Sequence, residues 1–246
     1  MGKLSEIQWT DGTWNPWHGC KKVSPGCKYC YMFRDKDRYG QSSTTVLRSK
    51  TMFNVPLKWE EGKLIFTCSW SDWFIEEADA WREEAWDIIR KTPQHTYQIL
   101  TKRPERIKEH LPEWFSSLNN VWIGVSIESE EQMGRLEYLK DLPCTTFASF
   151  EPLIGPIKWD ERMDSLKWCI IGGESGNDKG RHLYRKMELE WMLHLINGAK
   201  SSGVPCFVKQ LGTYQSKQLA LKDRHGGSFE EFSEEFKVRE FPTTFY

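Results

Sequence analysis

Cys20, Cys27 and Cys30 stand close together in the spacing C-x6-C-x2-C, within a loop that also carries Gly19, Pro25 and Gly26. Such a loop can wrap three thiolates round one compact centre, and thiolates suit zinc or an iron–sulfur cluster. Three ligands on a cubane leave one iron open, able to chelate the amino and carboxylate groups of S-adenosylmethionine. An electron from the cluster then cleaves the sulfonium and yields a carbon radical. The zinc alternative is a closed Cys₃His site with His18 as the fourth ligand. In the cluster reading Tyr29, between the last two cysteines, would lie beside the adenine ring. Seven cysteines is an odd number, and Cys68, Cys144, Cys169 and Cys206 sit in or beside apolar runs as small buried hydrophobes. That pattern favours ligation over a disulfide framework.

Further candidates gather where apolar runs end, which in parallel α/β folds is where functional side chains collect. Ser69 and Asp72 follow the first run, Lys102 and Arg103 the second, and Ser126 and Glu128 the third. Glu151 closes the fourth, Gly172, Gly173 and Glu174 the fifth, and Lys209 and Gln210 the last. Charges of both signs on one rim suit a zwitterionic ligand such as an amino acid moiety. Tyr29, Ser69, Asp72, Ser126, Glu128 and Glu174 are the candidate cofactor contacts; Glu151 and Lys102 are the candidate catalytic residues. Glu151 ends an otherwise apolar run, and a buried carboxylate needs a partner or a raised pKa. Lys102 and Arg103 precede Pro104 at a helix start, a good position for gripping an anion.

The elements that must hold these residues are legible as alternating strands and helices. Residues 64–69, 96–101, 121–126, 146–151, 168–173 and 206–210 are short apolar runs that read as buried strands. A further short strand is expected near residues 7–9. Ala78, Trp81, Ala85, Ile88 and Ile89 form one helical stripe. Helices are also expected after Pro104, after Ser129 with Gln132 spaced as a capping box, and through Leu189, Met192, Leu193 and Ile196. The connector 152–167 is less helical. Repeated βα units with right-handed crossovers predict an α/β fold, a partial (β/α)6-7 barrel over 1–212 with the cysteine loop at its N-terminal end. Residues 213–246 read as a wrapping extension, a lid being one use of it. A doubly wound open sheet is the structural alternative.

A chain of 246 residues with net charge −1 has no global basic field, so any nucleic acid would bind through a local patch. No apolar stretch is long enough to span a membrane, and the N-terminal residues lack the apolar core of a signal peptide. A cytoplasmic protein with reduced thiols is expected. Thirteen tryptophans must be buried or must line a pocket for a flat ligand such as a base.

Several blocks in order carry a resemblance: residues 7–16 with Gly19 and Cys20, 23–31, 100–106, 120–126, 150–156, 172–176, 207–212 and 225–227. On these the chain resembles the phage Gp37/Gp68-like family, a group related to radical SAM enzymes. The resemblance implies a radical SAM-like barrel with a [4Fe–4S] cluster on Cys20, Cys27 and Cys30, S-adenosyl-L-methionine as cosubstrate, and an electron donor as partner. The substrate expected is a small molecule or nucleotide, with modification or repair of a nucleobase, free or in DNA, as the reaction class. Two departures stand out. The first cysteine gap is three residues longer than in most radical SAM enzymes, and Gly172-Gly173-Glu174 follows a late strand where the usual motif follows an early one. Glu174 is therefore a rim candidate without the amino-group role. The competing reading is a non-enzymatic zinc or iron–sulfur module that binds nucleic acid or a protein partner.

Overall fold

The computed structural model describes residues 5–243. Seven strands build the main sheet: β1 (Gly12–Trp14), β4 (Leu64–Thr67), β5 (Thr96–Thr101), β6 (Val121–Ser126), β7 (Thr145–Phe150), β8 (Trp168–Gly172) and β9 (Cys206–Gln210). Every neighbouring pair is parallel and the strands lie side by side in chain order. Such an order has no reversal and no switch point, which excludes the doubly wound sheet. The sheet curls into a half-barrel. A small antiparallel pair, β2 (Trp17–His18) with β3 (Leu47–Arg48), stands apart from it.

The strands are buried on both faces, β6 at every residue, which is why they read as unbroken apolar runs rather than alternating ones. The two faces nevertheless do different work. Outward-facing Ile65, Ile99, Ile123, Val125, Ile171 and Val208 join one core with the buried stripes of α2 (Asp79–Lys91) and α3 (Leu189–Ser201). Inward-facing Phe66, Trp122, Phe147, Trp168, Ile170 and Phe207 form a second cluster with Trp9. Register explains its layering: Gly124 pairs with Phe147, Phe147 with Trp168, and Ile170 with Phe207. A β-carbon at Gly124 would meet the Phe147 ring at 2.5 Å, so the aromatic plug requires a glycine there. The tryptophans are thus mainly structural: Trp14, Trp17, Trp73, Trp86, Trp122 and Trp168 are all fully buried.

Three expected elements come out differently. Residues 7–9 form a turn closed by Thr10 N–H to the Ile7 carbonyl at 3.2 Å, and the first strand starts at Gly12. The apolar character of Trp9 reflects its place in the plug. After β5 only 3₁₀ turns form, Pro104–Arg106, Lys108–His110 and Phe115–Ser117, because Pro112 cuts short any helix that Pro104 opens. Glu130–Leu139 is a string of 3₁₀ turns in which Ser129 Oγ donates to Gln132 Oε1 at 2.9 Å; a side chain spent in this way caps no backbone amide.

The segment from residue 213 onward begins in α4 (Gly212–Gln218) and returns along β9. Val208 N–H donates to the Val238 carbonyl at 2.8 Å and Glu240 N–H to the Cys206 carbonyl at 2.9 Å. These bonds cover the outer edge of the last strand, which would otherwise offer unpaired backbone groups. Residues 1–4 and 244–246 lie outside the described residues. No helix among the described residues is long and apolar enough to cross a membrane.

Candidate functional site

Above the aromatic plug, at the C-terminal ends of β4 through β9, lies a cavity of about 570 Å³. All six strands contribute to its wall through Ser69, Lys102, Ser126, Glu151, Glu174 and Lys209. The cysteine loop crosses its mouth and presents Cys20, Cys27 and Cys30 to the same space. The polar residues read from strand ends therefore do converge, together with the thiols.

Local structure sets each thiol separately. Cys27 ends the 3₁₀ turn Pro25–Cys27, and Ser24 Oγ lies 3.8 Å from its sulfur. Cys30 is the N-cap of α1 (Tyr31–Arg38), so its sulfur faces the amide N–H groups of Met32 and Phe33. Burial still raises its pKa above the ordinary thiol value. Burial pushes Cys20 up to about 12, with Asp72 adding to the effect and Arg103 opposing it. Arg103 Nη1 lies 3.8 Å from the Cys20 sulfur, and Nη2 donates to the Lys21 carbonyl at 2.8 Å.

Three of the candidate cofactor contacts are carboxylates with protein partners; Asp72 and Glu174 line the cavity as well, and Glu128 does not. Asp72 accepts from Thr101 Oγ1 at 2.7 Å, from the Lys102 amide at 2.9 Å and from the Phe74 amide at 3.0 Å. Its remaining partner is Arg103 at 3.2 Å, so Asp72 aims the guanidinium that faces Cys20. Glu174 is clasped by Arg185, which bonds both carboxylate oxygens, Nε reaching Oε2 at 2.8 Å, and whose Nη1 donates to the Pro25 carbonyl at 3.0 Å. Glu128 is fully buried and does not line the cavity. It accepts from Ser24 Oγ at 2.6 Å and from Arg135 at 3.0 Å, with Lys102 Nζ at 3.6 Å. These three acids are positioning groups: two of them anchor the cysteine loop and the third orients a cation beside it.

The remaining candidates also line the cavity wall. Glu151 is ion-paired with Lys209, both partly exposed to the cavity, which supplies an acid and a base in contact at the mouth. Lys102 stands between Glu128 and the cavity, where its charge acts on Cys30. Ser69 Oγ is engaged by Asn15 Nδ2 at 3.0 Å, and Ser126 lines the wall beneath the cysteines. The Tyr29 ring carries Lys28 at 5.1 Å and Arg185 at 5.4 Å, and any adenine would share it with them. Trp9 is the one tryptophan on the wall, so the tryptophan content carries no argument for a flat ligand.

Arg185, Asn15, Cys68 and the tail residues Asp223 and His225 were not foreseen. Cys68 adopts a left-handed φ of 57° at the end of β4, which turns its side chain into the cavity wall. Three of them had a sequence signal: Asn15 lies in the block 7–16, His225 in the block 225–227, and Cys68 stands near the C-terminal end of a strand; Arg185 and Asp223 reach the site through contacts distant in the chain.

The donor set can be tested against each metal. All three sulfurs are free thiols on one cavity, flanked by Lys102 and Arg103, whose charges suit an anionic thiolate centre. Among the described residues no three His, Cys, Asp or Glu side chains are disposed to hold a single ion. A cluster asks for one thiolate on each iron rather than three on one ion. His18 is outside the cavity, with its Nδ1 2.7 Å from Lys36 Nζ, and so does not complete a Cys₃His site. In metal-free protein, alkylation of Cys20 should be slow at neutral pH compared with a free cysteine thiol and should accelerate as pH rises, since only the thiolate reacts. Mass spectrometry of timed iodoacetamide reactions measures this, and fast labelling at neutral pH would contradict the raised thiol pKa.

Residues 4–239 match the model of a family described as a protein of unknown function, DUF5131. No curated protein and no solved structure matches the chain.

Proposed function

We infer from this site, in a chain that belongs to the DUF5131 family, an iron–sulfur enzyme of the radical S-adenosylmethionine type. The observation that carries the reading is the convergence of Cys20, Cys27 and Cys30 with the polar ends of six parallel strands on one cavity. A [4Fe–4S] cluster on those thiols, leaving one iron without a protein ligand, would supply the electron for reductive cleavage of a bound sulfonium. The protein's own groups have separable tasks. Arg103, aimed by Asp72, places positive charge beside Cys20 and favours its thiolate. Lys102 does the same for Cys30. Arg185 ties Glu174 to the Pro25 carbonyl and so closes the cysteine loop onto β8. The Glu151–Lys209 pair and the Ser126 hydroxyl face the cavity, where a zwitterionic ligand finds both charges and a neutral donor. The plug below closes the barrel bottom, which leaves the mouth as the route for ligands.

The test is iron, sulfide and zinc content, with an absorption spectrum, on protein purified without oxygen. The expected result is a brown protein that cleaves S-adenosylmethionine on reduction. The Cys27→Ala variant should lose both colour and cleavage while Cys144→Ala, off the cavity, keeps them. Colourless protein that holds only zinc after anaerobic reconstitution would overturn the reading.

A further inference from the structure

Beside the cavity mouth runs a second depression, about 1010 Å³ in volume, between α1 and the segment after β8. One wall is Arg34 to Ser42, the other Asn177 to His182, and Arg224 and His225 close the end. Its charge is one-sided. Arg34, Arg38, Lys179, Arg181 and Arg224 face two carboxylates, and both of those are engaged: Asp35 by Arg34 at 3.2 Å and Asp37 by His182 at 3.1 Å. Among the described residues Arg38, Lys179 and Arg181 have no carboxylate partner, and Arg224 makes no direct salt bridge. Arg224 is held in place by the Gly176 carbonyl at 3.1 Å and Asn177 Oδ1 at 2.9 Å, and its charge also acts on Asp178, whose direct partner is Lys217. In a chain of net charge −1, this concentration is local and not a consequence of composition.

Two further observations define what would lie there. Arg34 and His225 line both this groove and the cavity, so the two are continuous. Tyr39, just past the end of α1, is 66% exposed with the Arg38 guanidinium 5.8 Å from its ring. Tyr39 does not line the groove itself but stands at its rim, between Arg38 and Gly40, which do; an exposed ring beside a row of cations is an arrangement on which a nucleobase stacks while its phosphates are neutralised. A base that reacts in a cavity must leave its stack, and a single strand does so at least cost.

We propose that this groove binds the phosphodiester backbone of a single-stranded nucleic acid and leads one of its nucleotides into the cysteine-lined cavity. The proposal rests on the proposed enzymatic reading for what happens in the cavity, but binding in the groove does not depend on a cluster.

Fluorescence anisotropy with a labelled single-stranded DNA oligonucleotide tests it, alongside the same sequence as a duplex and free nucleoside triphosphate as competitor. The single strand should bind more tightly than the duplex, with an affinity that falls steeply with salt. Arg38→Glu combined with Arg181→Glu should weaken binding by roughly tenfold or more and flatten the salt slope by about 2. Tyr39→Ala should weaken binding severalfold and leave the slope unchanged. A far-UV circular dichroism spectrum and thermal midpoint equal to those of the parent show that the charge-reversed protein folds. Cys27→Ala protein should lose iron yet keep the oligonucleotide, so failure of the groove and failure of the cluster are read separately. Equal affinity in parent and charge-reversed proteins, or binding of free triphosphate with none of the oligonucleotide, would overturn the proposal.

Discussion

Trp168→Ala is expected to lower the folding stability by roughly 4–5 kcal/mol, at the upper end for loss of a large buried aromatic side chain. Trp168 is fully buried at the start of β8 and meets Trp122 and Phe147 at 5.7 Å, Trp9 at 6.0 Å and Phe207 at 6.2 Å. Phe241 stacks on it at 5.5 Å, and its indole N–H donates to the Glu240 carbonyl at 2.8 Å. One side chain thus joins four strands or turns of the half-barrel to the returning tail. Removing it leaves a cavity that rigid strands on three sides cannot collapse to fill, and an unpaired carbonyl in addition. Chemical denaturation measures the loss. Trp168→Phe should restore most of it, because the ring volume is largely kept and only the N–H bond to the tail is gone. A cost below about 1 kcal/mol for the alanine variant would mean that the plug is not tightly packed, since intact packing cannot give so small a value.

The same plug marks where sequence reading reaches its limit. Strand positions were legible because burial on both faces leaves continuous apolar runs, and the runs at 96–101, 121–126 and 206–210 match β5, β6 and β9 end to end. The βα repeat favoured a sequential strand order but left the doubly wound sheet open, and only the observed pairing removes it. What the tryptophans touch was not legible: the same residue type lines ligand pockets and fills cores, and only the register of five strands assigns Trp122 and Trp168 to the interior. The helices were over-read where proline or a side-chain pair intervenes, as at Pro112 and Ser129. At the site, the polar residues read from strand ends lie round one cavity, Glu128 excepted. Strand-end position could not distinguish a carboxylate that faces a ligand from one that faces an arginine. Glu174 is matched by Arg185 from an irregular segment with no motif of its own, and Ser24 meets Glu128 across a separation of 104 residues. A charge is visible in a sequence; its long-range partner is not.

Glu128→Ala carries the second large effect, because this residue joins the cysteine loop to the barrel. Its carboxylate is 0% exposed and sits under the loop so closely that a β-carbon at Gly26 would meet its Oε1 at 2.5 Å. Ser24, Arg135 and Lys102 all depend on it for an acceptor or a counter-charge. Breaking a buried charge network by removing one member typically costs about 3–5 kcal/mol. Here the cations left behind are 13% and 22% exposed and can recover some hydration, so a loss near the lower end, about 3 kcal/mol, is expected. Glu128→Gln keeps the shape and one acceptor oxygen, and should cost less while still weakening the pull on Arg135. Stability alone does not separate a scaffold residue from one that seats the thiols. The separating measurement is iron bound per chain after anaerobic reconstitution, taken at a temperature where both variants remain folded. With Ser24 and Gly26 released from their seat, Cys27 loses its fixed position, and iron should fall in Glu128→Ala further than in Trp168→Phe, whose change lies at the other end of the barrel. Full iron in a destabilised Glu128→Ala protein would limit Glu128 to holding the fold, and would leave the cysteine loop able to set its own geometry.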